Sequence, residues 1–110
     1  MIVSILTRKV RVQDRSYWEA QLRAALPSIV AVLEAQAGFL SAQYLWGIEN
    51  NGETAQITTW KSWDHCRRYV RGGGAAMVAT LEEAVLPTAP YPEGTWVRKT
   101  FAVLDSGGDR

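Results

Sequence analysis

His65 and Tyr69 stand four residues apart, the spacing that places two side chains on one face of a helix. His65 is the only histidine of the chain, and so the only side chain that ordinarily titrates near neutral pH. If that helix face borders a pocket, His65 is a base for a phenol or quinol and Tyr69 orients the substrate. The alternative is a solvated histidine beside Asp64 and Arg68. Cys66 points about 100° away from His65 on a helix and fits an apolar stripe with Trp63 and Val70. It reads as a small core residue rather than a thiolate nucleophile. No other ligands fall at matching spacing, so no metal site is expected. Glu82-Glu83 is the nearest approach to paired carboxylates and reads as a solvated helix face.

Arg67-Arg68-Tyr69-Val70-Arg71 runs into Gly72-Gly73-Gly74. Backbone N–H groups opening a helix attract anions, and glycine admits a ligand closely, so Arg68 or Arg71 is a candidate partner for a substrate carboxylate or phosphate. No Gly-Lys-Ser/Thr follows, which excludes a nucleotide P-loop. The preferred interpretation is a flexible break between two helical pieces with a solvated basic face, mobile enough to gate a pocket.

The elements that must position these residues follow from the pattern. Ile2 to Val12 is rich in β-branched residues and lacks Gly and Pro, which predicts a strand. Asp14 and Ser16 are capping types. Trp18, Leu22, Ala25, Ile29 and Leu33 then recur at helical spacing through Tyr17 to Gln36, with a kink or break expected near Leu26 on account of Pro27. Gly38 stops that helix. Phe39 to Ile48 and Thr54 to Trp60 form a hairpin across Asn50-Asn51-Gly52. Ser62 caps a second helix, interrupted by the glycines and resumed from Ala75 to Leu86. Pro87 to Gly94 is a loop, and Thr95 to Leu104 is the last strand.

The order βαββαβ predicts an α+β ferredoxin-like domain over 1–105, with 106–110 a frayed tail. Right-handed crossovers place both helices on one face of an antiparallel four-stranded sheet. The other face is expected to be apolar. Val3 and Ile5 alternate with Ile2 and Leu6. In strand two Phe39 and Leu45 alternate with Leu40, Tyr44 and Trp46. In strand four Trp96 and Ala102 alternate with Val97, Phe101 and Val103. Strands apolar on both sides are buried on both sides, so the open face predicts a homodimer packed sheet to sheet.

Composition narrows the class. Twelve basic residues against eleven acidic ones give a formal charge of +1, which argues against a nucleic-acid partner. No stretch approaches the length of a membrane span. One cysteine excludes an intramolecular disulfide and fits the cytoplasm, and Met1 leads into a run too short for a secretion signal. Five tryptophans are core, or the walls of a flat aromatic site.

Gln36-Ala37-Gly38-Phe39, a hairpin, and then Thr59-Trp60-Lys61-Ser62 opening a helix resemble the antibiotic-biosynthesis-monooxygenase family. Members carry Gly-Phe after the first helix and Trp-x-Ser at the end of strand three. The resemblance implies a dimeric α+β barrel with a pocket between sheet and helices. Some members oxygenate aromatic polyketides without metal or flavin, the substrate's own carbanion reducing oxygen. Others degrade haem or isomerise small metabolites, and the fold does not choose among them. Where oxygenating and haem-degrading members place an asparagine in strand one, this chain offers Thr7. The helix after Trp-x-Ser carries Cys66 and Tyr69 at positions often aromatic and His or Trp. No histidine stands near Met77-Val78-Ala79, so haem degradation is not expected. The resemblance therefore implies a small aromatic substrate, no cofactor, and a pocket lined by Thr7, Trp60, His65 and Tyr69. Trp60 is alternatively plain core. A non-catalytic binding barrel and a cofactor-free isomerase or lyase remain the alternatives.

Overall fold

The computed structural model describes residues 1–10, 14–85, 97–105 and 107. The elements run β1 (Ile2–Lys9), α1 (Arg15–Glu34), β2 (Phe39–Trp46), β3 (Glu53–Trp60), α2 (Trp63–Arg71), α3 (Gly74–Val85) and β4 (Val97–Ala102). The four strands form one sheet in the order β2-β3-β1-β4, every neighbouring pair antiparallel. This is the ferredoxin-like βαββαβ arrangement. The expected Pro87–Gly94 loop, Trp96 and most of the tail lie outside the described residues.

Local chemistry accounts for the elements. Asp14 caps α1, its carboxylate accepting from the N–H groups of Ser16 and Tyr17. α1 buries Trp18, Leu22, Ile29 and Leu33, the stripe that the helical spacing predicts. The expected break at Pro27 does not occur: the helix runs through it. Pro27 and Arg23, whose carbonyl loses its helical donor, are both exposed, so the gap in the helix ladder lies on its solvent side. Gly52, at φ +91°, turns the β2–β3 hairpin, and Glu53 N–H closes onto the Asn50 carbonyl at 3.0 Å.

Two face assignments change. A β-bulge between Phe39 and Ser41 shifts the phase of β2. Phe39 therefore packs on the core with Ala42, Tyr44 and Trp46, and its ring meets Trp60 edge-on at 5.6 Å. In α2 the buried residues are Cys66 and Tyr69, while Trp63 and Val70 are 51% and 37% exposed. Tyr69 stacking on Trp60, centroids 4.6 Å apart, sets that rotation of the helix.

The two sheet faces are chemically inverted. Beneath the helices β1 and β3 bury Ser4, Arg8, Thr54, Gln56 and Thr58. The face turned away presents Leu45, Val97 and Phe101, all large and exposed. Buried polar side chains must be hydrogen-bonded or held for a purpose. The helix-covered face is therefore where a site is to be sought.

Gly38, at φ +80°, joins α1 to β2. A Cβ there would stand 2.2 Å from His65 Cγ. Gly38→Ala is expected to cost on the order of 1–3 kcal/mol, combining left-handed backbone with a clash. Thermal unfolding measures it, and adding His65→Ala should recover the steric share.

Candidate functional site

A fully buried carboxylate organises the polar interior. Glu82 is completely shielded from solvent while the adjacent Glu83 is exposed, which corrects the expectation that the pair is a solvated face. α3 directs Val78 and Glu82, four residues apart, at the sheet, so a core position holds an acid. Three partners hold it. The Tyr44 hydroxyl donates to Oε2, and Gln56 Nε2 donates to the same oxygen at 2.7 Å. Arg8 Nη2 lies 3.3 Å from Oε1, an ion-pair distance. Burial lowers the Arg8 pKa, opposed by the neighbouring carboxylate, and burial together with Glu82 raises that of Tyr44.

Beside this cluster lies a cavity of about 290 Å³ between the α2–α3 pair and the sheet. Leu6, Val70, Val78 and three alanines supply its apolar wall, and Gln56, Tyr69, Glu82 and Arg98 its polar groups. Among the described residues, the Tyr69 hydroxyl and Gln56 Oε1 are buried without a protein hydrogen-bond partner. Burial pushes the Tyr69 phenol up to about 12, against the pull of Arg98, so it remains an O–H donor at neutral pH. Arg98 Nη1 donates to Ser4 Oγ at 2.7 Å, and its guanidinium lies 6.0 Å from the Tyr69 ring centre. It makes no ion pair among the described residues. A half-buried cation and an unpartnered hydroxyl lining one cavity suit an oxygen that carries or develops negative charge.

A second groove, about 320 Å³, lies between α1 and β2. It is slightly larger, with the rings of Trp18 and Trp46 in its wall, 5.4 Å apart and tilted by 54°. Its ionic groups are already matched, Glu19 pairing with both Arg15 and Arg23. The smaller cavity, with its unmatched cation, is the candidate site.

Of the residues singled out from the sequence, Tyr69 lines this cavity and Trp60 is fully buried beneath it. His65 does not join them. Its Nδ1 is 2.8 Å from Ser62 Oγ, the helix cap, and its ring covers Gly38. Arg68 is exposed and paired with Asp64 at 3.3 Å, and Arg71 is exposed. Thr7 faces the opposite side of the sheet from Leu6 and Arg8, in a shallow groove with Ile5, Val97 and Phe101. Cys66 is buried core, and burial raises its thiol pKa. Gly74, which opens α3, is packed: a Cβ there would meet Gln36 and Tyr69 within 3 Å. Gln56, Glu82 and Arg98 were missed. The available signal was alternation in β3 and β4, where Thr54, Gln56 and Thr58, or Arg98 and Thr100, share a face. Among the described residues no group of three or more His, Cys, Asp or Glu is placed to share a metal ion, and no helix is long and apolar enough to cross a membrane.

No protein-family model and no curated protein matches the chain. Solved structures do. SnoaB, a cofactor-independent oxygenase from Streptomyces nogalater, superposes with a TM-score of 0.65 at 17% identity, over 96% of this chain and 94% of its own. A Deinococcus radiodurans protein assigned provisionally as an antibiotic biosynthesis monooxygenase gives 0.66 at 12% identity, over 100% and 99%. A Bordetella bronchiseptica protein of the same provisional assignment gives 0.67 at 12%, over 94% and 96%. At such identities the likeness carries architecture, and this chain has the ferredoxin-like α+β fold of the antibiotic biosynthesis monooxygenase structures.

Proposed function

We propose that the chain is a cofactor-independent oxygenase of a small aromatic substrate, bound in the cavity between α2, α3 and the sheet. The observation that carries this is the presence of the partnerless Tyr69 hydroxyl and the half-buried Arg98 among the residues that line one cavity. Both favour a substrate enolate or phenolate oxygen over its neutral form. Such a bound anion is electron-rich enough to reduce oxygen itself. For a substrate CH₂ next to a carbonyl, proton loss gives the enolate. That proton goes to solvent; electron transfer to O₂ and recombination give a peroxide anion that takes a proton back, and loss of water from the hydroperoxide leaves a new C=O. The balance is CH₂ + O₂ → C=O + H₂O, with all four electrons drawn from the substrate. The protein supplies position and charge. The cofactor-independent oxygenase activity of SnoaB, on the same fold, supports this reading. His65, tethered to its helix cap outside the cavity lining, is assigned no proton.

The test is oxygen uptake with a panel of anthrones, naphthoquinols and catechols, in the presence of a chelator. Uptake above the protein-free rate with a hydroxylated or quinone product is expected. Saturable binding without uptake across the panel would replace catalysis with a binding role.

The proposal includes a second copy of the chain. Leu45, Val97 and Phe101 remain 44%, 46% and 50% exposed on the open sheet face, an apolar surface that a two-fold partner would cover. Light scattering at micromolar concentration should give twice the 12.2 kDa chain mass, and Phe101→Glu should halve it. A monomeric parent protein would sink this part of the proposal.

A further inference from the structure

The Gln56 side-chain amide turns its nitrogen toward the buried acid. Nε2 lies 2.7 Å from Glu82 Oε2 and 3.1 Å from the Tyr44 hydroxyl, which itself donates a hydrogen bond to the same carboxylate oxygen. A carboxylate only accepts, so Glu82 dictates which end of the amide faces it. The carbonyl Oε1 is turned the other way and has no protein partner. Tyr69 presents the opposite valence, an O–H without an acceptor. Both residues wall the same cavity. An orphaned buried donor and an orphaned buried acceptor together describe a ligand that carries one of each.

We infer that Gln56, held in orientation by Glu82, determines specificity, and that the ligand is an aromatic ketone, or its enol, bearing a free ring hydroxyl. The ketone oxygen takes the Tyr69–Arg98 end, and the hydroxyl donates to Gln56 Oε1. A hydroxyl beside the carbonyl spends its proton internally, so the recognised hydroxyl is remote from it. The inference rests on the proposed use of this cavity and narrows its substrate class. Glu82 is a positioning residue, acting through Gln56.

Calorimetric titration with 6-hydroxy-1-tetralone, 6-methoxy-1-tetralone and 1-tetralone tests it, at about pH 6.5 where the phenol keeps its proton. These ketones report binding without turnover. The hydroxylated ligand should bind at least tenfold more tightly than either analogue, because a site built to accept an O–H is left with an unpaired group by ligands lacking it. Glu82→Gln removes the acceptor-only partner and frees the Gln56 amide to turn, so the preference should fall to about threefold or less. Retention of the full preference by a folded E82Q protein would remove Glu82 from the inference. The ligand series on the unaltered protein stands independently of how that variant folds. Equal affinities, or no binding by any of the three, would overturn the inference while leaving oxygen uptake by other substrates to decide the oxygenase proposal. Discriminating binding with no oxygen uptake across the earlier panel would keep the inference and overturn catalysis.

Discussion

Tyr69→Phe is expected to slow substrate-dependent oxygen uptake by about a hundredfold while leaving the protein at least as stable as its parent. The two halves of this expectation have one cause. The Tyr69 hydroxyl is buried and makes no hydrogen bond to the described residues, so its removal costs none and relieves a desolvated polar group. The ring remains stacked on Trp60. The lost donor is the one assigned to the developing oxyanion, so kcat should fall more than ligand affinity. Alkaline pH offers a second check. The folded phenol titrates near 12 against an ordinary 10.0, so the native state holds its proton more tightly than the unfolded chain. The stability this represents is complete below pH 10 and lost as pH rises toward 12. Phenylalanine should remove that part of the alkaline destabilisation. A marked drop in melting temperature at neutral pH, with unchanged turnover, would make Tyr69 a structural residue.

Glu82→Leu should be the most destabilising single change in the polar interior, at about 3–5 kcal/mol. The carboxylate and the Arg8 guanidinium keep only 1% and 5% of their side-chain surface exposed. Deleting the acid takes away the carboxylate that faces the buried Arg8 guanidinium, and the Tyr44 hydroxyl and Gln56 amide lose their common acceptor. Glu83→Leu, one position on, changes an exposed residue and should stay within about 0.5 kcal/mol. Urea unfolding of the two variants makes the comparison, and a double-mutant cycle with Arg8→Met gives the coupling. Similar losses for both variants would mean that Glu82 is not the anchor described.

That contrast also shows what the amino-acid pattern reveals and where it stops. The α1 stripe from Trp18 to Leu33, the turn at Gly52 and the cap at Ser62 are all local and were legible. Glu82 was not, because its partners Arg8, Tyr44 and Gln56 come from three strands distant in the chain. Alternation in β3 separates Thr54, Gln56 and Thr58 from Ala55, Ile57 and Thr59, but a period of two cannot say which set is covered. Here the polar set lies beneath the helices. Arg98 is hidden for the same reason, in a strand whose pattern is set by apolar Val97 and Phe101. The element order predicts the fold and the helical spacing places Tyr69 on its helix, while the strand-one comparison with the monooxygenases points to Thr7, on the opposite face.

The joint between α2 and α3 governs which length changes the chain can accept. Gly73 sits at φ +97° with open space where a side chain would grow. An extra residue there bulges outward and leaves the phase of α3 intact. The same residue inserted inside α3 ahead of Glu82 rotates the downstream helix by about 100° and carries the acid out of reach of Arg8. Relatives of this chain should therefore vary in length at the glycines and keep a fixed count from Val78 to Glu82.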